Sequence, residues 1–356
     1  MSLLAISLII FGVTYALIIS EKVHRTVVSL AGAMCMILFG VLTQQQALLG
    51  IDFNTIGLLV GMMVVVGIAK DSGMFQYVAL WTAKVAKGSP IKIFILLGII
   101  VAVFSSLLDN VTTVMLMVPV TFVLANNLRV DPKPYLIGTI ILSNIGGAAT
   151  LIGDPPNILI GSAAGLTFMQ FVIHLGPIAL IAGIVTLWLL YKRYKPELHT
   201  EQALQDRIAA FKPSDAIVDR ALLGKSLLVL GLIITGFLFH GVLHLEGATI
   251  ALAGAALFMF LTANDPEEHL HSIEWTTIFF FVGLFVLVTG LEHVGVLSWL
   301  AESLIGIAQT NMTALTLGTL WGSAIFSAVV DNIPFVAAMI PLVQNIGELT
   351  GMDLMP

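Results

Sequence analysis

Long runs of apolar residues, each near the length needed to cross a bilayer, constrain this chain more than any other feature. A transmembrane helix needs about 20 mainly apolar residues. Such runs lie at Ser2–Ser20, Thr26–Leu42, Asn54–Ala69, Leu136–Ala164, Phe171–Tyr191, Ser226–Gly241, Ala248–Leu261 and Thr276–Gly290. Composition agrees: 58% of the 356 residues are hydrophobic and only 10% are charged, against about 25% charged in soluble domains. One soluble core cannot hide that much apolar surface, whereas a bilayer can, so the fold class is an all-α polytopic membrane protein. No basic residue precedes the first run, which is too long for a cleavable signal and lacks a small-residue cleavage pattern. It reads as the first span. No basic tract suggests a nucleic-acid partner, and the single Cys35 excludes an intrachain disulfide framework and a Cys-based metal cluster.

Two further runs, about Ile93–Ala125 and Thr313–Gly347, are each interrupted midway by Asp-Asn. They are too long for one span and too short for two, and they suit re-entrant hairpins that dip into the membrane and return. The basic residues give the topology through the positive-inside rule. Lys22 and Arg25 place the carboxyl end of the first span in the cytoplasm. Counting on from there, with the first hairpin returning to the side it left, puts Lys70, Lys84, Lys87, Lys92, Arg129 and Lys133 inside. The loop Lys192–Lys225 follows, and all 15 Lys and Arg then share one face. The amino terminus is external, the central loop cytoplasmic, and the membrane the plasma (cell inner) membrane. Within that loop Leu204, Ile208 and Phe211 predict an amphipathic helix lying on the membrane surface. His240 and His244, four apart with no third ligand, read as packing, and His269 and His271 as solvated. No metal site is read.

The chain repeats itself. Ile51-Asp52-Phe53-Asn54-Thr55-Ile56 recurs 222 residues on as Ile273-Glu274-Trp275-Thr276-Thr277-Ile278. At the same offset Gly61 falls on Gly283, Gly73 on Gly295, Phe104-Ser105 on Phe326-Ser327, Asp109-Asn110 on Asp331-Asn332 and Pro119 on Pro341. By the counted topology the two copies run in opposite directions, the inverted layout of many secondary transporters. Residues 1–25 form the first span and turn, 26–191 the first repeat, 192–247 a cytoplasmic linker and connecting span, and 248–356 a truncated second repeat. The first copy continues past Pro119 to a further irregular motif at Ser143–Asn157, whose mate would begin beyond Pro356. The natural gene product is therefore expected to run roughly 60 residues further, with a Gly-rich, Asn-bearing break near position 366 and two more spans.

Polar or helix-breaking residues stand at membrane depth in Ser105–Thr113, Asn144–Asn157 and Ser327–Pro334. Irregular backbone there is tolerated only where it is buried in protein or lines a cavity. An ionised carboxylate at the bilayer centre costs at least ~2.5 kcal/mol on insertion scales, which marks Asp109 and Asp331. Either can serve as an N-cap that restarts a helix. In Asp154-Pro155-Pro156-Asn157 the Asp is an N-cap and Pro155 suits the first helical position; capping alone would explain it. Gly146-Gly147-Ala148-Ala149 allows close backbone approach and unwinding. Two tips and one broken helix aim amide dipoles at the midplane, where they favour an anion or polar oxygen, while the carboxylates can take a proton or Na⁺.

The motifs Phe104-Ser-Ser-Leu-Leu-Asp-Asn-Val-Thr-Thr, Ser143-Asn-Ile-Gly-Gly-Ala-Ala-Thr-Leu-Ile-Gly-Asp-Pro-Pro-Asn157 and Phe326-Ser-Ala-Val-Val-Asp-Asn-Ile-Pro-Phe335 resemble the ion transporter superfamily. Within it they resemble the branch of arsenite permeases, sodium/proton antiporters and the melanosomal P protein. The resemblance implies inverted repeats, each with a re-entrant hairpin and a broken helix, on a homodimeric scaffold with elevator-type alternating access. It carries binding roles to Asp109, Asn110 and Thr112 on the first tip and to Asn144, Gly146, Gly147, Thr150, Asp154 and Asn157 on the broken helix. Asp331 and Asn332 take them on the second tip. All are expected to converge on one polar cavity near the midplane.

No phosphate loop, ATP-binding domain or nucleophile–base pair is present in the sequence, so ATP-driven pumping would need a separate ATPase subunit and no enzyme is read. The expected activity is secondary transport of a small inorganic ion, with arsenite or antimonite efflux exchanged against protons first. Sodium/proton antiport, a dicarboxylate or citrate carrier, and an ion channel follow. The topology depends on the charge count. A cysteine at Glu201 should therefore stay unlabelled by an impermeant thiol reagent applied to intact cells; strong labelling would overturn the topology.

Overall fold

The computed structural model describes residues 2–263, 265–308, 312–328 and 331–351. Val329 and Val330 of the second tip and the end of the second repeat, 352–356, lie outside the described residues. The helices run α1 (Leu3–Ser20), α2 (Arg25–Leu38), α3 (Gln44–Leu49), α4 (Phe53–Asp71), α5 (Met74–Val85), α6 (Pro90–Leu107) and α7 (Asn110–Leu128). There follow α8 (Lys133–Gly147), α9 (Pro155–Ala164), α10 (Phe168–His174), α11 (Gly176–Tyr194) and α12 (Gln202–Ala209). The chain continues with α13 (Arg220–Leu243), α14 (Gly247–Thr262), α15 (Pro266–Leu270), α16 (Trp275–His293), α17 (Val296–Ala308), α18 (Met312–Ser327) and α19 (Asn332–Thr350). Among the described residues eight helices are long and apolar enough to cross a bilayer: α1, α4, α6, α7, α11, α13, α16 and α19. This is a polytopic helical membrane protein. On α11 no side chain is buried, and Ile178, Leu180, Ile181 and Trp188 are all exposed, as suits a surface solvated by lipid.

Several elements differ from the reading of the sequence. Both arms of the first hairpin, α6 with 18 residues and α7 with 19, are long enough to cross alone. The helices outrun the apolar stretch, taking in Pro90 at the start and Asn126–Leu128 at the end, where Arg129 turns left-handed at φ 54°. Crossing or re-entering, the hairpin returns the chain to the side it left, so the charge count keeps its parity. The run Phe171–Tyr191 is two helices, because Gly176-Pro177 starts α11 afresh. Across the break at 165–167 the pair α9 and α10 bends by 115°. The amphipathic helix forms as α12, but Ile208 is fully buried in a core with Ala83, Leu124, Leu128 and Leu198. It docks on protein, since a half-buried apolar stripe gains more from a fitted groove than from lipid headgroups. His269 is also buried, 3.2 Å from the Thr262 hydroxyl.

The repeat reaches further back than the matched residues indicated. The helices α2 to α7 begin at Arg25, Gln44, Phe53, Met74, Pro90 and Asn110, each 222 residues before the start of α14 to α19. The overlooked signal is Leu30-Ala31-Gly32-Ala33, which recurs as Leu252-Ala253-Gly254-Ala255.

Contacts divide the chain into two compact units. One holds 1–56, 162–165 and 274–356; the other holds 57–161 and 166–273. The first combines α1 and the leading repeat's α2 and α3 with α16–α19 of the trailing one. The second combines α4–α7 with α13–α15, and adds α8–α12. Each unit is thus assembled from parts of both repeats. The joints match: a Cβ on Gly283 would come 2.7 Å from the Ser29 carbonyl carbon in the first unit, and one on Gly61 would come 2.5 Å from that of Ala251 in the second. Ser29 and Ala251 are themselves 222 apart. Gly61→Val and Gly283→Val should each destabilise by about 1–3 kcal/mol through overpacking, read as a lowered melting temperature in detergent. Gly12→Val, with no atom within 4 Å of its Cβ, should leave it unchanged.

Candidate functional site

The first hairpin turns at Leu108-Asp109. Leu108 is extended, and Asp109 is the N-cap of α7, its Oδ1 accepting from the Thr112 amide at 2.7 Å. Thr112 therefore contributes its backbone to the turn. Asn110 opens α7 and is buried; its Nδ2 donates to Asn144 Oδ1 at 3.0 Å, joining the tip to the end of α8. Asn110 Oδ1 and the Thr113 hydroxyl are buried with no hydrogen-bond partner. Three apart on one helix, they share a face.

The broken helix is stitched to the hairpin's first arm. Ser105 Oγ donates to the Ser143 carbonyl at 2.6 Å, and Thr150 Oγ1 donates to the Ser106 carbonyl. Asn157 Nδ2 reaches back across the break to the carbonyls of Thr150 (2.8 Å) and Gly147 (3.2 Å). Asp154 stands immediately before α9, its carbonyl accepting from the amides of Asn157 and Ile158. The glycines serve contact: a Cβ on Gly146 would lie 2.1 Å from the Ala102 carbonyl oxygen, and one on Gly147 2.6 Å from that of Gly153. Within this unit the first tip and the break, Asp109 to Thr112 and Asn144 to Asn157, form one constellation.

The second tip belongs to the other unit. Asp331 caps α19, its Oδ1 accepting from the Ile333 amide at 3.2 Å. Asn332 follows, exposed, as the first helical residue. Arg25 Nη1 donates to Asp331 Oδ2 at 2.6 Å, with the guanidinium 5.1 Å from the centroid of the Phe280 ring. Tyr15 donates its hydroxyl to the Pro334 carbonyl at 2.7 Å. Arg25 is thus a cationic residue at the second tip. Following the first span directly, it carried only a topological signal. Ser105 and Thr113, which bound the polar segment of the first hairpin, carry no binding role by motif resemblance, yet both are buried at the turn. The imidazole of His240, by contrast, accepts from the Phe168 amide at 2.8 Å, and no cluster of metal-ligating side chains is present among the described residues.

Capped hairpin tips and a helix broken and resealed among apolar helices are the layout of a membrane transporter. The chain belongs to the CitMHS family, described as citrate transporters, whose model matches residues 15–356. It is 41% identical over 359 residues to an uncharacterized transporter of Mycobacterium tuberculosis, covering 99% of this chain and 82% of that protein. A 46 kDa membrane protein of Mycobacterium leprae is 39% identical over 353 residues, covering 97% and 81%. The P protein of Homo sapiens is 33% identical over 417 residues, covering 94% of this chain but 50% of its own length.

If Asp109 holds the turn by capping, Asp109→Asn should keep the cap and the melting temperature, and Asp109→Ala should lose about 1 kcal/mol. Equal losses in both, measured by thermal unfolding in detergent, would remove the capping role.

Proposed function

We propose that this chain is a secondary active transporter working by alternating access, in which H⁺ or Na⁺ taken at the first tip drives the movement of a small anion. The observation that carries this is Asn110. Its amide nitrogen ties the hairpin to the broken helix, while its Oδ1 and the Thr113 hydroxyl are buried without a protein partner. An unpaired buried acceptor costs about 1–3 kcal/mol, and a cation held beside the Asp109 carboxylate offsets that cost. The amino termini of α7 and α9 supply free amides and the positive dipole ends that favour an anion.

For the anion, the family description favours a carboxylate of the citrate kind. Arsenite or antimonite efflux exchanged against protons rests on motif resemblance and is the competing reading. Sodium/proton antiport, with Asp109, Asp154 and Asp331 as the titrating groups, is the third. The same proposal includes a homodimeric scaffold, insertion in the plasma membrane with an external amino terminus, and ATP dependence only through a separate ATPase subunit.

Counterflow with the full-length chain in proteoliposomes, offering citrate, arsenite and Na⁺ side by side, tests it. Citrate counterflow should saturate, respond to an imposed cation gradient, and lose that response in Asp109→Asn. Arsenite exchange with citrate inert would move the substrate to the oxyanion. Flux that neither saturates nor responds to a gradient would make the chain a channel.

A further inference from the structure

The repeat makes Asp109 and Asp331 equivalent, and both are N-caps of the second arm of a hairpin. Their surroundings are not equivalent. Asp331 is held by Arg25 at 2.6 Å, and the third residue of its helix, Pro334, by the Tyr15 hydroxyl at 2.7 Å. At the offset of 222 residues the counterparts of Arg25 and Tyr15 are Gly247 and Phe237. Neither carries a charge or a hydroxyl. No ion pair involving Asp109 is present among the described residues. The clasp is fixed from both ends: Arg25 is the first residue of α2 and leans on the Phe280 ring, and the neighbouring Thr26 hydroxyl donates to the Thr276 carbonyl at 2.7 Å.

We propose that Arg25 is a positioning and selectivity residue: by compensating the Asp331 carboxylate it keeps the second tip from taking the coupling cation, leaving that role to the first tip alone. This rests on the cation-coupled transport proposed above. It accounts for two repeats that match in sequence but serve different halves of the chemistry. The Asp109 tip keeps an uncompensated carboxylate beside two unpartnered oxygens, Asn110 Oδ1 and Thr113 Oγ1. The Asp331 tip is an internally neutral cap.

The test uses the full chain in proteoliposomes, with citrate uptake followed while Na⁺ and pH are stepped. Arg25→Gln bares a second carboxylate, and cation dependence should become steeper than one-site or shift at least threefold in half-saturation. Arg25→Gln/Asp331→Asn restores a neutral tip and should return to wild-type dependence. A wild-type cation profile in Arg25→Gln would overturn the inference, as would a double variant as altered as the single one, which would place Arg25 on the substrate instead. If Arg25→Gln does not fold, Arg25→Asp/Asp331→Arg keeps the pair with its charges exchanged and should recover both melting temperature and cation profile; failure of both would equally overturn it. Wild-type uptake indifferent to every cation would sink the transport reading itself. The pairing is then judged by melts alone: Arg25→Gln and Asp331→Asn should be non-additive in the double variant, and additive shifts would remove the clasp.

Discussion

Backbone amides that leave a helix inside hydrocarbon find no water, so each break in a membrane helix must be sealed by the protein itself. The unit containing the first hairpin does this with short polar side chains. Asp109 takes the Thr112 amide, Ser105 and Thr150 satisfy or use carbonyls across the α6–α8 contact, and Asn157 spans the break to reach Gly147 and Thr150. These bonds tie the non-helical residues 148–154 to the hairpin's first arm and to the start of α9. Among the described residues the buried side-chain atoms left without a partner lie in the first turns of two helices, Asn110 Oδ1 and Thr113 Oγ1 on α7 and Gln76 Oε1 on α5. Polarity is thereby concentrated at the tip and its surroundings.

Close helix contact depends on glycine in the same way. Hydrophobic burial gives little preference for one helix neighbour over another when lipid is as apolar as leucine, so association rests on close packing of small residues. Gly61 against Ala251 and Gly283 against Ser29 bring backbones nearly into contact. Gly32 against Thr14 and Gly254 against Ile233 play corresponding parts for α1 and α13. These positions explain why the leading helices of one repeat settle on the trailing helices of the other. The Gly61 and Gly283 joints are closed by contacts far apart in the chain, from one repeat to the other. Neither unit can be completed until both repeats have been made, and long-range closure of this kind is slow relative to local helix formation.

Sequence equivalence and chemical equivalence part company at the tips. A carboxylate that caps a helix contributes through one oxygen and remains free to act through the other, and what the second oxygen meets decides its chemistry. For Asp331 it meets Arg25; the counterpart of Arg25 at the repeat offset, Gly247, is a glycine. Two residues that align without a gap can therefore sit in electrostatically different sites.

The sequence by itself determined that the chain is helical and membrane-embedded, where its helices fail, and that its two halves are copies. Apolar run length, Asp-Asn within a run and a constant offset are local or one-dimensional signals, and they survive without coordinates. Helix ends depart from the apolar runs by several residues, and Phe171–Tyr191 divides between two helices, because caps and Pro177 decide those boundaries while hydropathy does not register them. Only the tertiary structure decided that Ile208 and His269 are buried, that Asn110 meets Asn144, and that Arg25 belongs to Asp331. Each of those depends on which helices pack together. Packing here is selected by glycine-sized gaps and single polar contacts between distant segments, a pairing rule that no periodicity within either segment records.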